Sequence, residues 1–410
     1  MPAASCPYSP GLEGVVAAQT AISSVDGEKG ELVIRGFAVE DLAPHATFEE
    51  TVFLLWHGAL PDARTLDWFQ SELAARRELE RHTLELLRSA AAGRAHTMDA
   101  LRMACGSLTS RGAAGSAAPG DSEGARQDGL RLVAAFPVIV AAYQRLSRGL
   151  EPIPPRRDLP HAANFLYMLR GREAPPPYVR ALETYWNTVS DHGLNASTFT
   201  ARVIVSTESD LVSAVTGAVG ALKGRLHGGA PGPALDLVFE IGSAEYAERV
   251  LREKLARGER LMGFGHRVYR TRDPRADVLA AAAGRLFEGA GDRQLYELAR
   301  AVEAAALRLL REHKPARALQ TNVEFYTALV LYGIGFPTPL FTPVFAAGRV
   351  AGWTAHCLEQ TASNRLIRPQ STYVGARNRR WVPVANRSQG SPEVSGSVNA
   401  HDATSRTVTS

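Results

Sequence analysis

Along most of the chain apolar residues recur every three or four positions, the spacing of one face of an α-helix. The first such stretch is ATFEETVFLLWHGAL, where Thr47 is placed to cap a helix and Glu50, three residues on, completes a capping box. Leu- and Ala-rich periodic segments follow around 63–90, 130–148, 209–223, 246–257, 275–288 and 294–312. One region alternates with period two instead: VVAAQTAISSVDGEKGELVIRG, residues 15–36, reads as a β-hairpin about a DGEKG turn. The pattern predicts an all-α chain with one small N-terminal hairpin.

The periodicity is interrupted in three places. Residues 111–129, RGAAGSAAPGDSEGARQDG, have little to bury and are expected to form a mobile surface loop. A proline-rich break, EPIPPRRDLP, occupies 151–160. Residues 384–410 are polar and aperiodic and are expected to be a disordered tail. No repeat of fixed period is present.

Composition narrows the class. At 410 residues, 45% of them hydrophobic, the chain can bury a large core in more than one lobe. The net charge of +4 is spread along the sequence, so an anionic small molecule suits it better than nucleic acid. Cys6, Cys105 and Cys357 are far apart and lack CxxC spacing, which argues against a disulfide framework and a zinc site and fits a reducing cytoplasm. The first residues lack the basic and apolar regions of a signal peptide, and no run approaches eighteen apolar residues. Neither export nor a membrane span is expected.

Four separated segments carry candidate chemistry. In DHGLNASTFTARV, 191–203, His192 precedes a small polar helix with Asn195 as a possible cap; alone, such a histidine reads as structural. In ALKGRLHGGAPGPALDLV one helix ends near Gly224 and another begins about Pro231. His227 lies at that break beside glycines that let a ligand approach the backbone, and a structural role fits equally.

LMGFGHRVYRTRDPRADVL, 261–279, puts His266 after Gly263, Phe264 and Gly265 and ahead of Arg267, Arg270, Arg272 and Arg275. The third glycine of a dinucleotide loop is missing and no convincing strand precedes it. A bare loop with donating amides and arginine forks suits phosphate or carboxylate, the alternative being a solvated basic face. In LQTNVEFYTALVLYGIG, Asn322 caps an apolar helix whose first turn holds Glu324. An acid there serves the helix dipole, and the same field would keep it ionised, as a general base requires.

Together HGLNASTFTARV, LKGRLHGGA, GFGHRVYRTRDPRA, TNVEFY, LFTPVFAAGRVAGWTAHCLEQ and NRLIRPQSTYVG resemble the citrate synthase family in order and interval, over roughly residues 11–377. The hairpin with its VIRG ending is similar to that family's N-terminal signature. The resemblance implies a nearly all-α, two-domain helical fold. Residues 1–227 and 336–383 would form a large domain, and 228–335 a small one that closes over the cleft on oxaloacetate before acetyl-CoA binds. It also implies a homodimer, and the cytoplasm remains the location expected from the cysteines.

The activity implied is that of an acyltransferase of the tricarboxylic acid cycle. It condenses acetyl-CoA with oxaloacetate and water, giving citrate and CoA through an enol(ate) and citryl-CoA. By the same resemblance Glu324 takes the methyl proton, His227 stabilises the enol(ate) and His266 polarises the oxaloacetate ketone. Arg275 and Arg349, helped by His192, would hold the carboxylates, with Arg368 reaching in from the other subunit. Gly263, Phe264, Gly265 and Asn322 would face CoA, with Arg270 and Arg272 near its phosphates. Neither metal nor cofactor is implied, acetyl-CoA being a substrate.

Three positions depart from the family pattern. Glu324 stands where most members have Asp, Arg225 where they have Pro, and Gln370 where they have a second Arg. Two alternatives follow: a 2-methylcitrate synthase using propionyl-CoA, and a weakly active or idle paralogue that binds dicarboxylates. His356 and Trp353, one helical turn apart, read as packing residues, and Cys357 as a small core residue.

Overall fold

The helix Phe48–His57 begins where its capping box places it. Thr47 Oγ1 accepts from the Glu50 amide at 3.2 Å, the Glu50 carboxylate accepts from the Thr47 amide at 2.7 Å, and Gly58 ends the helix in the left-handed region. Single side-chain oxygen caps, without the reciprocal bond, start four more helices: Asp62 before Ala63–Ala75, Asn195 before Ala196–Val205, Asp210 before Leu211–Leu222 and Asn322 before Val323–Ile334. The computed structural model describes residues 8–108, 122–228, 231–266, 268–290, 293–315 and 319–386. Among them are sixteen α-helices and one three-stranded antiparallel sheet.

The sheet pairs Ser23–Asp26 with Glu31–Ile34, Ser23 opposite Ile34. A short third strand, Phe37–Ala38, was not foreseen. The turn that makes it possible uses Arg35 (φ 48°) and Gly36 (φ 92°), two consecutive left-handed residues of the kind that close tight hairpins. Arg35 is held there by hydrogen bonds from Nε and Nη2 to Leu55 O.

Two expected elements have different bounds. The periodic stretch 63–90 is two helices, Ala63–Ala75 and Arg81–Ala92. The helix expected from 130 begins at Ser122 and runs to Leu146, so the polar residues 122–129 belong to it and not to a loop. Gly129 is there for contact, since a Cβ would lie 3.1 Å from the Trp56 ring. Residues 109–121 lie outside the described residues, as does the tail from 387.

That same helix is the one, among the described residues, long and apolar enough to cross a bilayer; 78% of its most apolar window is buried inside the protein. Its apolar surface is core. The other central element is Phe341–Ala362, buried over most of its length, which packs against Ser122–Leu146, Pro176–Val189 and Ala196–Val205. Glycines make these approaches possible: a Cβ at Gly352 would fall 2.2 Å from Ser190 O, and one at Gly348 2.8 Å from Trp186 Cδ1.

The chain divides into two compact units, Met1–Ile367 and Arg368–Ser410. The described part of the second has no helix or strand beyond a 3-10 turn at Val384–Asn386, and within it Tyr373 donates a hydrogen bond to Ala376 O at 2.7 Å.

Candidate active site

The described residues of the segment Leu261–Asp273 form no helix, and partners on both sides hold them in shape. Gly265 N donates to Gln320 O (2.7 Å), Asn322 N to Gly263 O (3.0 Å) and Asn322 Nδ2 to Gly265 O (2.8 Å), a short antiparallel bridge centred on Phe264 and Thr321. Gly263 (φ 89°) and Gly265 (φ 83°) are needed for this backbone path. On the other side Arg270 N donates to Gly27 O in the hairpin turn at 2.8 Å. The Gly265 amide is therefore committed to Gln320 and is not among the free donors expected of this loop.

His266 is oriented by its own loop. The amides of Val268 and Tyr269 both donate to Nδ1, at 3.0 and 3.2 Å, which puts the ring proton on Nε2. Arg275 Nη2 stands 3.3 Å from that Nε2, so two donors meet where a single oxygen acceptor would satisfy both. Burial in the first place, and the Arg275 charge in the second, depress the His266 pKa to about 4. The imidazole is a neutral donor at pH 7.

Arg275 is buried and fixed by Asp273, whose two oxygens accept from Nε (3.0 Å) and Nη2 (2.8 Å). Asp273 also accepts from the Val323 amide at 3.2 Å, tying this arginine to the start of the helix that carries Glu324. Asn322 caps that helix through the Glu324 amide at 3.0 Å. The Glu324 carboxyl is pushed up to about 7: desolvation raises it, and Asp273 adds to this against the pull of Arg275 and Arg349. The helix-end field expected to keep it fully ionised is outweighed by burial.

Arg349, 1% exposed, donates from Nε to Val189 O, which leaves its Nη groups without an acceptor among the described residues. Burial lowers its pKa to about 10, opposed by Asp191. His192 lies beside this cation. Its ring is 5.8 Å from that of His266, its Nε2 is 3.1 Å from Tyr269 OH, and desolvation followed by the charges of Arg275 and Arg349 holds its pKa well below the usual histidine value.

His227 sits in the turn after helix Leu211–Leu222, and its Nε2 accepts from the Ser197 amide at 3.3 Å, with Ser197 Oγ 2.8 Å away. The proton is thereby left on Nδ1. Trp353 Nε1 donates to that Oγ at 3.0 Å. Burial, then Arg349, lowers the His227 pKa to about 4. The fields of Arg275 and Arg349 thus reach His192 and Glu324 alike, and that of Arg349 reaches His227.

The profile of a family described as "Citrate synthase, C-terminal domain" matches residues 11–370. The chain belongs to the citrate synthase family. It is 42% identical to the citrate synthase of Haloferax volcanii over 92% of this chain and 98% of that one. It is 41% identical to a 2-methylcitrate synthase of Mycobacterium tuberculosis over 90% and 91%. Among solved structures, the ternary complex of citrate synthase from Thermoplasma acidophilum with carboxymethyl coenzyme A and oxaloacetate superposes with a TM-score of 0.83, at 30% identity, over 93% of this chain and all of that one. The protein is an acyltransferase of the citrate synthase type.

In this citrate synthase family member the remaining candidate residues fall into three groups. Arg270 is exposed, 3.9 Å from Glu28. Arg272 is already neutralised by Asp277 and by Glu303, at 3.3 Å from the latter. Arg368 opens the second unit, and Arg267 lies outside the described residues.

Sequence reasoning missed Asp273, Tyr269, Ser197 and Asp191 as working parts of the site. Asp273 and Asp191 carry a usable signal, because each stands within two residues of a predicted ligand-binding side chain and in a motif. Ser197 carries none, since its role depends on Trp353, 156 positions away. Trp353 and His356, expected to be packing residues, both make buried polar contacts.

Proposed function

We propose that the protein condenses acetyl-CoA with oxaloacetate and water to give citrate and CoA. One arrangement supports this reading above others: two neutral imidazoles, locked in opposite tautomers by backbone amides, and a carboxyl near neutral pKa, each in the field of one or both of two buried arginines. Each fits one step. Glu324 takes a proton from the thioester's α-carbon, a base whose pKa matches neutral pH. His227 donates Nδ1–H to the enol(ate) oxygen.

The enol(ate) carbon then attacks the oxaloacetate ketone. Electrons of its C=O bond move to oxygen, where His266 Nε2–H and Arg275 are the donors. Water hydrolyses the resulting citryl thioester, freeing the CoA thiol. Arg349, with its Nη groups uncommitted, and Arg275 take the carboxylates, His192 assisting. Among the basic residues after His266, Arg270 suits the CoA phosphates better than Arg272, whose charge is already balanced.

The reading includes a homodimer in which Arg368 completes the other subunit's site, a small domain of residues 228–335 that closes on oxaloacetate, and a cytoplasmic location. The hairpin-to-loop bond from Arg270 to Gly27 joins the two proposed domains and supports such closure.

A second reading, 2-methylcitrate synthase, has its own support in the Mycobacterium tuberculosis relative. One methylene is worth only about 1–3 kcal/mol of discrimination. Thiol release with oxaloacetate and either acetyl-CoA or propionyl-CoA tests both readings. A larger kcat/KM for acetyl-CoA is expected, a larger value for propionyl-CoA transfers the assignment, and no CoA release with either removes condensation altogether.

A further inference from the structure

Behind Arg349 lies a buried ring of polar side chains that the proposed chemistry leaves unused. His356, fully buried, sits between Asp191 and Arg202, with Nε2 3.0 Å from Asp191 Oδ1 and Nδ1 3.0 Å from Arg202 Nη1. A guanidinium has donors only, so Nδ1 is the acceptor and Nε2–H donates to Asp191. Arg202 continues from Nη1 to Glu359 Oε2 (2.7 Å) and from Nε to Gln360 Oε1 (3.1 Å). Glu359 Oε1 accepts from Ala21 N at 2.8 Å, and two residues further along the chain, at the start of the first strand, Ser23 Oγ donates to Asp191 Oδ2, which closes the ring.

Stability alone accounts poorly for this arrangement. A set of buried ions loses hydration that apolar residues of equal volume would not, and such sets are often no more stabilising than their apolar replacements. The location supplies another reason. Asp191 precedes His192, accepts the Gly193 amide at 2.9 Å, and places its charge where it acts on Arg349. The helix carrying Arg349 and His356 touches the Ser190 carbonyl through Gly352. Orienting Asp191 therefore orients the histidine and steadies the arginine that face the substrate.

We propose that His356 is a positioning residue for the dicarboxylate end of the site. Through Asp191 it fixes the His192 turn and keeps a compensating carboxylate behind Arg349, while Arg202 and Glu359 anchor it to the root of the N-terminal hairpin. The proposal rests on the oxaloacetate reading above.

Steady-state kinetics of the full-length protein test it. His356→Leu, which severs both contacts, raises the KM for oxaloacetate on the order of 10- to 100-fold, the scale of a roughly 1 Å misplacement, while the acyl-CoA KM changes little. His356→Gln, whose amide offers one donor for Asp191 and one acceptor for Arg202 but holds them on a flexible chain instead of a rigid ring, recovers part of that loss. Ser23→Ala, at a half-buried position, removes one of the donors to Asp191 and an acceptor of the Gly193 amide, and raises the same KM a few-fold.

Wild-type protein without oxaloacetate-dependent thiol release would sink the function reading. Active wild-type protein, with an unchanged oxaloacetate KM in both His356→Gln and Ser23→Ala, would overturn the positioning role alone. If His356→Leu does not fold, those two variants carry the decision.

Discussion

Arg349 and His266 reach the site from very different supports. Helix Phe341–Ala362 buries most of its 22 residues, and Arg349 is one more side chain of that packed rod, placed by glycines that let the rod touch its neighbours. The segment Leu261–Asp273 leaves Val268, Arg270 and Thr271 exposed and has no helix among its described residues. Its shape comes from hydrogen bonds with residues 320–323 and with the hairpin turn. One wall is held by close packing, which resists displacement in all directions. The other is held by a few directed bonds, which fix tautomers and donors but permit movement. The lesson is a division of labour: the anchoring charge sits on the stiff wall, and the group that must meet a moving substrate sits on the adjustable one.

Between the walls stands Glu324, at a helix start that belongs to neither, and its removal gives the largest effect on turnover. Glu324→Gln keeps the shape and the cap from Asn322 but cannot accept a proton. Thiol release is expected to fall about 10²- to 10⁴-fold, the usual worth of a positioned base. Oxaloacetate binding measured by calorimetry should persist. Turnover within two-fold of wild type would show that the base lies elsewhere, on one of the walls themselves.

Glycine substitutions sharpen the contrast directly. At Gly352 a Cβ meets backbone, 2.2 Å from Ser190 O, so neither partner can step aside. Gly352→Ala should cost about 3 kcal/mol, the upper range for overpacking, and lower Tm by roughly 4 °C in a chain of this length. At Gly263 the nearest atom, 2.9 Å away, belongs to the Phe325 ring, and the strain is mainly that of φ 89° in a residue with a side chain. Gly263→Ala should cost about 1–3 kcal/mol and show mostly in kcat/KM, because the bridge to residues 320–322 yields before the core does. Equal Tm losses in the two variants would mean that the walls do not differ in stiffness.

How much of this was visible in the sequence follows the same division. The helices with a side-chain cap and a clear stripe, Phe48–His57 and Leu211–Leu222, lie where their patterns put them, because capping and amphipathicity are local. The start of Ser122–Leu146 is hidden in the sequence, since its first turns are polar and two of their residues are glycines; only the Trp56 contact at Gly129, far away in sequence, shows that the helix continues. The candidate histidines and arginines were legible through motif resemblance. Their second partners were not, because Ser197–Trp353 and Asp191–His356 join positions more than 150 apart. The bare glycines of 263–265 were legible as unusual, but their use in pairing with residues 320–322 required the fold.

The smallest expected effect, and the most diagnostic, is on pH dependence. The Glu324 carboxyl titrates near 7 in the folded protein and in the ordinary carboxylate range when unfolded. A group raised in this way contributes stability fully present below about 4.5, and lost as pH rises through 7. Catalysis requires the opposite form, so kcat/KM should climb over the same interval. His227 and His266, depressed to about 4, add stability present above about 6.5 and lost as pH falls towards 4. These two contributions are common to wild type and Glu324→Gln, and they cancel in a comparison of Tm between the two proteins. The difference that remains belongs to Glu324: from pH 5 to 8 the wild type should lose Tm relative to the variant while it gains turnover. A wild-type kcat/KM profile flat across that interval, together with parallel Tm curves, would place the carboxyl in water and remove the reason for assigning it the proton.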